Sequence, residues 1–179
     1  MVRTFIAIDL PDSVKQKIRE SQNILTECDA RLSVVDPGNV HITLKFLGEI
    51  EPRMVERVAE ALRAVRAGPF TVTIGPATAD RPKRPRVVWC GVSDAGECAS
   101  LHRQIEDLLA PLGFEREGRK FTPHATVARV KRYDPSLMRQ IASLAREDIG
   151  ACEVKGITLK KSTLTPRGPI YEDLAEVEW

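Results

Sequence analysis

The sequence predicts an α+β fold made of two similar lobes, and three observations predict it. Strand-like and helix-like patterns are mixed along all 179 residues, with no low-complexity linker between them. The stretch around His41 recurs 83 positions later around His124. Hydrophobic residues make up 42% and charged residues 29%, enough apolar surface for a core and too much for a disordered chain. One bilobal domain over residues 1–179 is expected.

Each element has its own signal. Arg3–Leu10 reads as a strand around the apolar block of Phe5, Ile6, Ala7 and Ile8. Pro11 and Asp12 open a helix with Val14, Ile18 and Leu25 on one face. Val40–Leu47 is a strand closed by Gly48, and Glu51-Pro52 begins the next helix. Its Met54, Val58, Ala61, Leu62 and Val65 form one stripe that ends near Gly68. Phe70–Ile74 and Val87–Val92 read as strands. Between them, Arg81–Arg86 is an extended basic loop, because each of its prolines disfavours helix at the residue before it. A helix with Leu101, Ile105, Leu108, Leu109 and Leu112 inside precedes the strand Phe121–Val130. Asp134-Pro135 starts a helix carrying Leu137, Ile141, Leu144 and Ala145. The tail, Ala151–Trp179, reads as two strands around Thr165–Pro169.

Charge and cysteine usage narrow the function. With 27 basic and 25 acidic residues the formal charge is +2, far from that of an obligate duplex-DNA binder. No apolar run approaches the roughly 20 residues of a membrane helix. Asp9 and Pro11 interrupt the opening apolar stretch too early for a signal peptide, so a cytoplasmic protein without membrane contact is expected. Cys28, Cys90, Cys98 and Cys152 form no C-x-x-C or zinc spacing and are expected to be free, half-buried thiols. Phosphate-loop, zinc-protease and nucleophile-elbow motifs are all missing.

The repeat carries the chemistry. A shift of 83 aligns His41 with His124, Thr43 with Thr126, and Glu51-Pro52 with Asp134-Pro135. It also aligns Met54, Val58 and Ala61 with Leu137, Ile141 and Leu144. Shared strand–turn–helix patterning would reproduce the apolar positions but not the histidines. Alternation along a strand puts His41, Thr43 and Lys45 on one face, opposite Ile42, Leu44 and Phe46. His124 and Thr126 likewise oppose Ala125 and Val127. Facing lobes then bring two imidazoles and two hydroxyls into one cleft. One imidazole can deprotonate an attacking oxygen while the other protonates a leaving oxygen, each near its ordinary pKa of about 6.5. The hydroxyls can bond the non-bridging oxygens of a phosphoryl centre as charge builds there. His102, with no Thr two residues on, is expected at the flank of its helix and outside this scheme; Trp89 is expected to be a core aromatic.

His41–Gly48 and Phe121–Arg129 resemble the paired motifs of the two-histidine phosphoesterases, and more narrowly of the RNA 2′,3′-cyclic phosphodiesterases once named 2′–5′ RNA ligases. The resemblance runs nearly end to end, through Phe5–Pro11, Arg86–Val92 and Gly168–Tyr171. It implies a bilobal α+β fold, with two antiparallel sheets and flanking helices related by a pseudo-twofold axis around a central cleft. It implies hydrolysis of a terminal 2′,3′-cyclic phosphate to a 2′-phosphomonoester, with His41 as proton donor, His124 as proton acceptor, and Thr43 and Thr126 holding the phosphate. The symmetry of the sequence does not itself say which histidine is the acid. No metal or other cofactor is implied, and the expected partner is an RNA end, with no obligate protein partner. Phe46 and Arg129 resemble base and phosphate contacts of that family. Strict alternation puts both on the wrong face, so a bulge or a strand end is required. A 5′-hydroxyl in place of water would give minor ATP-independent 2′–5′ ligation.

The rivals are a relative acting on another cyclic phosphate or a 2′–5′ oligonucleotide, a silent RNA-binding module, and a metal enzyme. Intact His and Thr in both copies speak against a silent site, and two strand histidines without a carboxylate pair make a poor metal shell. Arg81–Arg86, Arg116, Arg119, Lys120, Lys131 and Arg132 are either solvated loop charge or a cationic rim for an RNA backbone.

Overall fold

The computed structural model describes residues 1–179. In chain order it contains β1 (Val2–Asp9), α1 (Asp12–Leu25), β2 (Arg31–Val34), β3 (His41–Ile50), α2 (Pro52–Leu62), β4 (Phe70–Ala79) and β5 (Val87–Ser93). There follow α3 (Glu97–Leu109), β6 (His124–Arg132), α4 (Ser136–Leu144), β7 (Gly150–Val154), β8 (Gly156–Thr165) and β9 (Gly168–Glu178). The helices α1, α2 and α4 begin within two residues of the starts that the sequence signals. Pro52 occupies the first turn of α2, where its missing N–H costs nothing. The Asp134 carboxylate accepts from both the backbone N–H and the hydroxyl of Ser136 at the start of α4.

The strands form one antiparallel path, β7-β4-β5-β6-β3-β1-β8-β9, with β2 added beside β6. Its two halves are continuous through a single bridge, Ile42 opposite Ala125, from which β3 and β6 splay apart. Only Lys155 separates β7 from β8, although the two lie at opposite regions of the path. One residue spans at most about 3.6 Å, so the sheet must curl until those strands nearly meet. Gly156 sits at that seam, and a side chain there would put Cβ 2.5 Å from the Val177 carbonyl oxygen.

The helices are exchanged between the halves. α1, which follows β1, packs on β6, α4 and β7; α3, which follows β5, packs on β3 and α2. A single apolar cluster of 34 buried residues therefore runs through both halves, with Ile18, Ile42, Leu101, Ile105 and Leu137 fully enclosed. Burying each such side chain contributes about 1.5–3 kcal/mol.

Several boundaries differ from the sequence expectation. The tail holds three strands, because β7 pairs with β4 while β8 pairs with β1. β2 is a four-residue strand whose alternation, Leu32 and Val34 against Arg31 and Ser33, is only two cycles long, and the splayed edge of β6 offers it a partner. β3 continues past Gly48 to Ile50, since Gly48, at φ +73°, accommodates an irregularity in register. β4 likewise runs to Ala79 through a register shift after Ile74, and β6 starts only at His124.

Candidate active site

The bridge between Ile42 and Ala125 builds the site. In an antiparallel pair, one step either side of it sets His41 beside Thr126 and Thr43 beside His124, all on the face opposite the two buried bridge residues. The four groups are half-buried there. Both imidazoles are oriented in the same way. His41 Nδ1 lies 2.7 Å from the Asn39 carbonyl oxygen, and His124 Nδ1 lies 2.8 Å from that of Thr122. Each Nδ1–H donates to its carbonyl, so Nε2 is the nitrogen that exchanges protons with the cleft. His41 Nε2 is 3.0 Å from Thr43 Oγ1.

Aromatic rings hold these imidazoles from behind. Phe5 stacks on His41 with centroids 4.8 Å apart, and Tyr171 meets the same ring edge-on at 5.4 Å. Trp89 lies 4.4 Å from His124. The expectation of a core aromatic at Trp89 is corrected: it is half-buried and opposes Thr126 on the cleft face of β5.

Electrostatics break the symmetry. Asp9 stands opposite His41, whereas Gly91 stands opposite His124. Asp9 Oδ2 accepts from Lys160 Nζ at 3.0 Å and from Thr158 Oγ1 at 3.1 Å, and Lys160 also reaches Asp173. Burial pushes the His41 pKa below its ordinary value; the Asn39 carbonyl and the Asp9 carboxylate oppose that, while Lys160 and Lys15 add to it. A polar pocket of about 300 Å³ opens beside His41, lined by Asp9, Lys15, Asn39, Lys160, Tyr171 and Asp173. Sequence reasoning missed Asp9, Lys160 and Tyr171 as site residues. Alternation along β1 was the available signal, since it puts Phe5, Ala7 and Asp9 on one face.

Phe46 and Arg129 reach the cleft face because both motif strands are bulged. In β3 the register runs from Thr43 opposite Ala7 directly to Lys45 opposite Ile6, leaving Leu44 extra. In β6 it runs from Thr126 opposite Trp89 to Ala128 opposite Val88, leaving Val127 extra. Two consecutive residues then face the core in each strand, and the next, Phe46 or Arg129, faces out. Phe46 is 63% exposed and approaches Phe5 at 6.1 Å. The same bulge corrects the placement of Lys45, which points into the core and pairs with Glu106 at 2.6 Å. His102 is corrected too: it is buried, stacks on Phe121 and bonds the Leu44 carbonyl oxygen at 2.9 Å.

Arg81, Lys83, Arg84, Arg86, Arg119, Lys120, Lys131 and Arg132 are exposed. Arg116 is tied to Asp107 at 2.6 Å. All four cysteines are free, Cys90 and Cys98 buried and the other two half-buried; burial pushes the Cys90 thiol up to about 12. No group of three or more His, Cys, Asp or Glu side chains is set to hold a metal ion. No helix is long and apolar enough to cross a membrane.

Twin H-x-T strands that address one cleft through equivalent imidazole nitrogens define a two-histidine phosphoesterase. The chain belongs to the 2′-5′ RNA ligase superfamily, whose family model matches residues 10–163. It is 38% identical over 178 residues to the RNA 2′,3′-cyclic phosphodiesterase of Archaeoglobus fulgidus, covering 99% of this chain and 100% of that protein. The protein of the same name from Thermotoga maritima is 36% identical over 181 residues, covering 99% and 96%. Among solved structures, a Thermus thermophilus protein superposes with a TM-score of 0.79 at 26% identity, covering 98% of this chain and 97% of that one. Escherichia coli LigT, solved with 3′-AMP, shares the fold with a TM-score of 0.78 at 24% identity, covering 99% and 97%.

Proposed function

We propose that this enzyme opens the 2′,3′-cyclic phosphate of an RNA end to a 2′-phosphomonoester, with His41 as acid and His124 as base. The observation that carries the reading is the single bridge between Ile42 and Ala125, which is flanked by His41 and Thr43 on one strand and by His124 and Thr126 on the other, with both imidazoles presented through Nε2. Water attacks phosphorus opposite O3′ and gives its proton to His124 Nε2. The P–O3′ bond breaks as His41 Nε2–H protonates the departing oxygen. Thr43 and Thr126 hydroxyls donate to the non-bridging oxygens as their charge grows. Proton exchange between the two imidazoles and water then resets the site.

Asp9 supports the assignment of His41 as acid, because a carboxylate opposite it favours imidazolium and His124 has only Gly91 in that place. Burial works against that charge in the free enzyme. An anionic cyclic phosphate seated between the histidines restores it. Phe46 offers an exposed ring to a base and Arg129 a guanidinium to a phosphate. The names of the relatives support RNA as the substrate. A 5′-hydroxyl could replace water and leave a 2′–5′ linkage, but water at about 55 M outcompetes any RNA end not held in place. The free thiols support a cytoplasmic location, and the core shared by both halves supports one bilobal unit over residues 1–179.

The test is incubation with EDTA and an RNA ending in a 2′,3′-cyclic phosphate, followed by assignment of the product phosphate. A 2′-phosphate formed without divalent metal is expected. A 3′-phosphate, or strict dependence on added metal, rejects the scheme.

A further inference from the structure

The two bulges leave Leu44 without a residue opposite on β1 and Val127 without one on β5, each on a strand packed against the apolar interior; on its β2 side the Val127 carbonyl accepts the Val35 backbone N–H at 3.0 Å. A buried side chain meets the carbonyl of each. His102 Nδ1–H donates to the Leu44 oxygen at 2.9 Å, and Gln22 Nε2 donates to the Val127 oxygen at 2.9 Å. Gln22 spends its second amide hydrogen on the Val35 carbonyl at 2.7 Å, which ties the end of β2 to the same point. His102 is held flat against Phe121, with centroids 4.4 Å apart and planes 8° apart. One turn further along α3, Glu106 receives the Lys45 ammonium that the bulge has turned inward.

Both donors come from exchanged helices: α1 of the first repeat serves β6 of the second, and α3 of the second serves β3 of the first. A shift of 83 would carry Gln22 to Ile105, not to His102, so one contact has been built twice from different residues.

We propose that His102 and Gln22 are positioning residues that hold the bulges of β3 and β6, and thereby set the face on which Phe46 and Arg129 emerge. Without the His102 donor, the Leu44 carbonyl loses a partner in a place water does not reach, and regular pairing becomes the competing arrangement for β3. Regular alternation turns Lys45 into the cleft and Phe46 into the core. The consequence for activity rests on reading Phe46 and Arg129 as substrate contacts.

The test separates the two. In a Phe46→Cys background the introduced thiol is alkylated by iodoacetamide and followed by mass spectrometry of its peptide. Adding His102→Leu is expected to slow that reaction about tenfold, the factor for losing one buried hydrogen bond. His102→Asn keeps a donor near the Nδ1 position and is expected to restore the rate. On an RNA with a 2′,3′-cyclic phosphate end, His102→Leu is expected to raise KM about tenfold and change kcat less than about threefold, with no further rise when Phe46→Ala is already present. Unchanged alkylation in folded His102→Leu overturns the proposal. If that variant does not fold, Gln22→Met with Arg129→Cys decides by the same measurement: slower alkylation supports the proposal and unchanged alkylation overturns it. Slowed alkylation with a KM indifferent to Phe46→Ala leaves the bulge device standing and rejects Phe46 as a substrate contact.

Discussion

At the scale of single residues, the four H-x-T groups were legible in the sequence because their spacing survives an 83-residue shift. His41→Ala and His124→Ala are each expected to lower kcat by about 10²–10⁴-fold, with the double variant little worse, since both protons move in one displacement. Thr43→Ala and Thr126→Ala should each cost about 2–4 kcal/mol of transition-state stabilisation, measured as kcat/KM. Asp9 was only partly legible: alternation along β1 puts it on the face of Phe5, but its partner His41 stands on another strand and register is not written in either segment alone. It supplies a sharper experiment on what tunes His41. The acid must be protonated, so activity falls as pH rises through its pKa; the base must be neutral, so activity falls as pH drops through its own. Asp9 raises the His41 pKa, and Asp9→Asn removes that effect while leaving Lys160 to push it further down. The limb of the bell-shaped profile that His41 controls should therefore move to lower pH, with the other limb unmoved. A profile in which neither limb moves would mean that Asp9 does not act on His41.

At the scale of elements, all helices and the motif strands were readable from period, three of the helices from their starts as well, while the bulges were not. A bulge is a contest between ladder pairing and side-chain burial, and its outcome depends on donors such as Gln22, 105 residues away from the carbonyl it serves. β2 was hidden for a similar reason: two cycles of alternation, at Leu32 and Val34, are too short a signal by themselves, and the segment becomes a strand because β6 leaves an edge open. The loop Arg81–Arg86 was expected to be extended; it bends at Pro82, Lys83, Arg84 and Arg86 between β4 and β5, and its charges are exposed. It should act on RNA backbone alone. Each phosphate contact removed by neutralising Arg81, Lys83 or Arg84 should flatten the log–log salt dependence of binding to a single strand by about 0.7. A cyclic mononucleotide should be turned over as before. Equal loss of rate on mononucleotide and oligonucleotide would instead assign the loop a part in supporting the active site.

At the scale of the whole molecule, the repeat suggests two lobes, but the exchanged helices make each lobe depend on the other. α1 leaves the half that contains β1 and fills the interior behind β6; α3 does the reverse behind β3. Removing either helix from its place would open apolar surface in the opposite half, so neither half has a low-energy way to unfold alone. The two tryptophans report on this, because Trp89 lies in β5 and Trp179 follows β9, on opposite sides of the bridge between Ile42 and Ala125. In single-tryptophan variants made with Trp179→Phe or Trp89→Phe, urea transitions followed by fluorescence should be superimposable once each variant is compared with the circular dichroism of the same sample. Ile105 is fully buried on α3, and Ile105→Ala should destabilise the protein by about 2–5 kcal/mol. Both probes should then shift to lower urea by the same amount. A midpoint that moves at one tryptophan and stays at the other would mean that the halves melt independently, and that the exchanged helices do not couple them.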